Sequence, residues 1–72
     1  MRPDEIARIQ HYLREKFSSP TLSVRRRKQD DSAEVYLGDE FIAVIYRDDE
    51  DPADISYAFE MAILEGDLPL NV

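Results

Sequence analysis

Apolar positions along this chain follow two rhythms. From Pro3 to Phe17 the spacing is helical: Ile6, Ile9, Leu13 and Phe17 fall within about 80° of one another at about 100° per residue, one stripe on one helix. Pro3 suits the first helical position, where no N–H is needed. Asp4 and Glu5 lie in the first turn, where the helix dipole favours acids. Arg2 is a poor N-cap. Ser18-Ser19-Pro20 predicts the stop, because Pro20 steers Ser19 away from the α region.

Beyond Pro20 the rhythm is two. Residues 21–28 predict a first strand, with Leu22 and Val24 on one face and Ser23 and Arg25 on the other. Gln29-Asp30-Asp31-Ser32 predicts a polar turn. Residues 33–37 and 40–47 predict a hairpin about Gly38-Asp39. With a two-residue loop, Leu37 opposes Glu40, Tyr36 opposes Phe41, Val35 opposes Ile42 and Ala33 opposes Val44. One face then carries Ala33, Val35, Leu37, Ile42, Val44 and Tyr46. The other carries Tyr36, Phe41, Ala43 and Ile45, with Glu34 and Arg47. The first face is the more aliphatic and is assigned to the core. Tyr36, Phe41, Ala43 and Ile45 become the candidate interaction face. A one-residue change of register would exchange the faces of one strand.

Residues 55–64 fit both rhythms. As a strand, Ile55, Tyr57, Phe59, Met61 and Ile63 share a face. As a helix, Asp51 is the N-cap, Pro52 the first residue and Gly66 the stop, with Ile55, Ala58, Phe59 and Ala62 as the stripe. The length of the alternation favours the strand, with Tyr57, Phe59, Met61 and Ile63 turned to the core. The tail, residues 65–72, is assigned no element. The predicted fold is therefore α+β, a single domain over residues 1–72: one N-terminal helix (3–17) packed on a four-stranded antiparallel β-meander (21–28, 33–37, 40–47, 55–64). Its core is expected to hold Ile6, Ile9, Leu13, Phe17, Leu22, Val24, Val35, Leu37, Ile42 and Val44.

Size changes this picture. A domain of 72 residues is marginal, and such chains use disulfides, a metal or oligomerisation to compensate. The chain has no cysteine and His11 is its one imidazole, which removes disulfides and thiolate metal sites and leaves association or tight packing. The absence of cysteine fits a reducing compartment. No apolar run approaches the roughly 20 residues of a membrane span, and the N-terminal stretch lacks the apolar core of a secretory signal. A cytoplasmic protein is the expectation. The net charge of −7 is unevenly spread: residues 1–29 carry +5 and residues 30–72 carry −12. The halves partly neutralise one another within one fold, or the molecule is a dipole suited to head-to-tail association.

Little in the chain points to catalysis. His11 lies about 140° from Ile6 around the helix, away from the apolar stripe. The acidic loop Asp48-Asp49-Glu50-Asp51-Pro52-Ala53-Asp54 places Asp49, Asp51 and Glu60 at the first, third and twelfth positions of an EF-hand-like count, but Ala53 and Asp54 occupy the fifth and sixth, where a ligand and Gly belong. Glu34, Glu40 and Glu60 are spaced among apolar strand residues, as solvent-facing charges are. The two glycines, Gly38 and Gly66, make no phosphate-binding loop. Arg25, Arg26, Arg27 and Lys28 form a basic run that could meet phosphates, with Tyr36 and Tyr46 as stacking platforms. Consecutive strand residues point to opposite faces, so the run cannot line one patch, and such runs also protect strand edges. The thirteen carboxylates of residues 30–72 oppose a polyanion.

The words Asp31-Ser32-Ala33-Glu34-Val35-Tyr36, Gly38-Asp39-Glu40-Phe41-Ile42, Val44-Ile45-Tyr46-Arg47-Asp48 and Ser56-Tyr57, with Phe59 and Met61-Ala62-Ile63-Leu64, carry a resemblance. The chain resembles the domain-of-unknown-function family 3126 of short bacterial proteins, from the Pro3-Asp4-Glu5-Ile6 helix start to Leu64. The resemblance implies one compact, free-standing bacterial domain and supplies no catalytic residue. The expectation is a non-enzymatic interaction module with no cofactor, metal, small-molecule ligand or membrane partner, forming a homodimer or binding a protein through Tyr36, Phe41, Ala43 and Ile45. The alternative is a single-stranded nucleic-acid binder using Arg25, Arg26, Arg27 and Lys28.

Overall fold

A computed structural model describes residues 1–28 and 31–72. Helix α1 (Pro3–Lys16) is followed by β1 (Leu22–Arg26), β2 (Ser32–Leu37), β3 (Glu40–Asp48) and β4 (Ser56–Glu60), with a 3₁₀ turn at Glu65–Asp67. The strands form one antiparallel sheet in the order β1-β2-β3-β4, a meander with the helix on one face. Of the expected polar turn, Gln29 and Asp30 lie outside the described residues.

The helix ends show which local forces act. Arg2 is the N-cap, and its side chain has no acceptor to offer. The third helical residue supplies the cap instead: Glu5 Oε1 accepts the Arg2 N–H at 3.0 Å. At the other end Ser19 N–H donates to Arg14 C=O at 2.9 Å and Ser18 N–H to Glu15 C=O at 3.3 Å, the two bonds of a Schellman motif. The motif needs a left-handed residue, and Ser18 fills that place at φ 49°. Glycine adopts this conformation without the steric cost of a Cβ. Ser18→Gly is therefore expected to stabilise the protein by about 1 kcal/mol, raising the thermal midpoint by about 4–8 °C. A calorimetric scan showing no rise would refute the cap.

Helix α1 rests chiefly on β1. Gln10 Oε1 accepts the Val24 N–H at 3.0 Å, and Leu22 C=O accepts from Arg14 Nε at 2.6 Å. These side chains occupy backbone groups on the outer edge of β1, so the helix covers that edge of the sheet as well as its face.

The hairpin turns at Gly38, whose φ of +59° precedes an Asp39 of negative φ, the sign pattern of a II′ turn. Leu37 opposes Glu40 and Tyr36 opposes Phe41, as the two-residue loop requires. The register then shifts: Val35 opposes Ala43 and Ala33 opposes Ile45, leaving Ile42 as the extra residue of a β-bulge. The bulge overturns the expected faces of β3. Ala43 and Ile45, assigned to an exposed face, are each only 2% accessible inside the core. Val44, assigned to the core, is half-buried on the outer face. Leu13, Leu22, Val24, Ala33, Val35, Ala43 and Ile45 make up the buried core, with Ile6, Ile9 and Ile42 packed against it. Phe17 and Leu37, also expected inside, are exposed.

The last segment is a strand, Ser56–Glu60, and the helical alternative is not realised. Asp51 Oδ1 accepts the Ala53 N–H at 3.0 Å and Asp51 C=O accepts the Asp54 N–H at 2.9 Å, a single hydrogen-bonded turn at Asp51-Pro52. Pairing with β3 then takes over: Arg47 opposes Tyr57, Ile45 opposes Phe59 and Val44 opposes Glu60. The strand is half as long as the alternation predicts. Continuing the register would set Ala62 opposite Ile42, the bulged residue, and the ladder ends before it. Met61 and Ile63, expected in the core, lie beyond the strand and are exposed.

Candidate interaction cleft

Because α1 sits over β1, the inner face of β3 and β4 is only partly roofed. The gap is a cleft of about 490 Å³. Ile9, Tyr12 and Leu13 line it from the helix, Ile45 from the floor, and Tyr57 and Phe59 from β4. Arg8 and Lys16 stand on its helical rim, and the Lys16 ammonium lies 5.7 Å from the centre of the Tyr12 ring.

Two side-chain contacts tie the helix to β4 at the ends of the cleft. At the C-terminal end of the helix, the Phe17 and Phe59 rings lie 6.0 Å apart with their planes tilted by 51°. At its N-terminal end, Tyr57 Oη donates to Glu5 Oε2 at 2.7 Å. Glu5 is 3% accessible. Arg47 Nε lies 3.2 Å from the same Glu5 oxygen, an ion pair without the alignment of a hydrogen bond. The Arg2 N–H, the Tyr57 hydroxyl and the nearby Arg47 and Arg2 charges all favour the carboxylate, against the cost of its burial, and hold Glu5 down at a pKa of about 2 from a usual 4.5. The Tyr57 hydroxyl, bonded to that carboxylate, is pushed up.

The residues singled out from sequence separate. Tyr36 and Phe41 lie on the outer sheet face with ring centroids 5.7 Å apart, whereas Ala43 and Ile45 face inward. Tyr36 Oη donates to Glu34 at 3.0 Å, and the Arg25 guanidinium lies 3.9 Å above the Tyr36 ring. This outer face mixes charge with aromatics, as the solvated side of an antiparallel sheet does. The basic run is divided. Arg25 covers Tyr36, Arg26 lies beside Ile6 and Pro3 on the helix side, Arg27 reaches Glu34 at 3.9 Å, and Lys28 is exposed. His11 is exposed and pairs with Glu15 at 2.6 Å along the helix. Among the described residues, no group of three His, Cys, Asp or Glu is placed to hold a metal ion, and no helix is long and apolar enough to cross a membrane.

Arg47 and Glu5 escaped the sequence reading for a reason. Arg47 shares the face of Ile45, and its charge made that face look like the solvent side. Glu5 reads as an ordinary first-turn acid until Tyr57, distant in sequence, is brought to it.

A model of the family described as "Protein of unknown function (DUF3126)" matches residues 5–67. The chain belongs to this family. The matched span takes in Glu5, Arg47, Tyr57 and both walls of the cleft, so the family domain and the cleft coincide. Searches of curated proteins and of solved structures found no match.

Proposed function

We propose that the protein is a non-enzymatic, self-associating interaction module whose docking surface is the cleft face between α1 and β4. One observation carries this reading: the isolated chain is too open for its mass. It exposes 5774 Å², whereas a compact monomer of this size exposes about 4,600 Å². Its radius of gyration is 13.7 Å, against about 11 Å for a compact domain of this length. The excess surface, about 1,200 Å², exceeds the roughly 800 Å² that each partner contributes to a typical stable interface. Much of it is apolar and lies on the cleft side and beyond β4, where Tyr12, Phe17, Tyr57, Phe59, Met61, Ile63 and Leu64 are exposed.

A non-enzymatic role is supported by the state of the cleft's one buried carboxylate. A general acid or base works best with a pKa near the operating pH, and Glu5 is driven the other way, locked as an anion between Arg47 and Tyr57. The nucleic-acid alternative has less support, because the Tyr36 platform is already covered by Arg25 and rimmed by Glu34. The cysteine-free composition suits a bacterial cytoplasm, where the module would work.

Light scattering on variants tests the reading. Tyr12→Asp places a charge in the cleft and is expected to convert an associated protein to monomer. Phe41→Asp, on the outer face, is expected to leave association unchanged. The reverse pattern would move the interface to the outer face and refute the assignment.

A further inference from the structure

The segment after β4 leaves the body of the protein. Residues 61–72 are all exposed, Leu70 at 99%, and the molecule is drawn out to 45 Å along one axis against 24 and 23 Å along the others. The hydrogen bonds of this tail are local: Asp67 N–H to Leu64 C=O at 2.9 Å and Leu68 N–H to Glu65 C=O at 3.1 Å. It carries Met61, Ile63, Leu64, Leu68 and Leu70 with the acids Glu65 and Asp67 between them. A solvated linker is poor in large aliphatic residues; this segment is rich in them.

We propose that the tail of a second copy of the chain occupies the cleft, and that two copies exchange tails about a two-fold axis. The inference rests on the reading of the cleft as a self-association surface and names its occupant. Three features of the chain match tail to cleft. The walls are apolar, and so are the tail's large side chains. The helical rim carries Arg8 and Lys16, and the tail carries Glu65 and Asp67, so the charges are complementary. Met61 to Leu68, extended up to Leu64 and tightened by the 3₁₀ turn at Glu65–Asp67, spans about 20 Å, close to the roughly 21 Å of the 14-residue helix that forms the roof. Reciprocal exchange covers both clefts and both tails at once, as a closed two-fold assembly requires. It also accounts for where the excess surface lies. The short β4, released at the β3 bulge, frees the segment that reaches across.

Cross-linking tests this directly, because the chain has no cysteine of its own. Gly66→Cys is tolerated: a Cβ there meets nothing within 4 Å. Arg8→Cys changes an exposed rim position. Mixing the two full-length single-cysteine variants with a short bismaleimide is expected to give a product of twice the chain mass that forms only when both are present. Absence of that product, with linkage instead confined within single chains of an Arg8→Cys/Gly66→Cys double variant, would show the tail folding onto its own cleft and overturn the exchange; so would no linkage in either experiment. A second variant separates this inference from the reading beneath it. Ile63→Asp/Leu64→Asp is expected to weaken the dimer about a hundredfold or more, since each lost contact occurs twice. If that variant still dimerises while Tyr12→Asp does not, the cleft stands as the interface and the tail is not its occupant. If the unaltered chain is monomeric, the underlying reading fails as well.

Discussion

Replacing Glu5 by glutamine is expected to destabilise the protein by about 2–3 kcal/mol and to remove a specific part of its acid sensitivity. The amide keeps an oxygen for only one of the two donors, the Arg2 N–H at Oε1 or the Tyr57 hydroxyl at Oε2, and it leaves the half-buried Arg47 guanidinium without the counter-charge 3.2 Å away. The sign of the pH effect follows from the direction of the shift. The folded-state pKa of Glu5 is depressed, to about 2 from 4.5. Ionised Glu5 therefore stabilises the fold fully above its unfolded-state pKa, and that stability is lost as pH falls from about 4.5 through about 2. Discounted for the water that fills an open cleft, the contribution is about 2 kcal/mol. Urea denaturation of the parent and of Glu5→Gln from neutral pH to pH 2 is the check, with the stability gap between them closing as acid is added. A gap that stays constant would mean that Glu5 is not held by the Arg47–Tyr57 contacts.

The second large effect concerns β3. Ile45→Ala is expected to cost about 3 kcal/mol or more, because the removed methyl groups come from a side chain 2% accessible, packed among Ala33, Phe59 and the helix. Val44→Ala, half-buried on the outer face, is expected to cost less than about 1 kcal/mol. A hairpin without the bulge demands the opposite order. Chemical denaturation of the two variants side by side thus decides the register, and a larger loss at Val44 would refute the bulge at Ile42.

That register marks where the sequence stopped being readable. The helix stripe from Ile6 to Leu13, the Gly38-Asp39 turn and the meander order follow from periodicity and turn chemistry, and the structure has all three. From Phe41 to Ile45 every residue is apolar, so alternation carries no parity, and one extra residue at Ile42 reverses every side chain after it without leaving a trace in the pattern. The fate of residues 61–64 depends on the same event. Their alternation says strand, but a strand needs a partner, and the regular ladder of β3 ends at the bulge. The cleft was hidden for a different reason. It exists because α1 lies over β1, held there by Gln10 and Arg14 side chains reaching strand backbone, and hydrophobic spacing alone would centre the helix on the sheet. Once the helix is displaced toward one edge, Tyr57 and Phe59 must reach it with long side chains, and the space between their two contacts stays open.

Sedimentation velocity of the unaltered chain across the micromolar range is the most direct measure of whether that open face is covered in solution. A species of twice the 8.4 kDa chain mass, dissociating on dilution, is the predicted result. A single monomeric boundary at every concentration would contradict it.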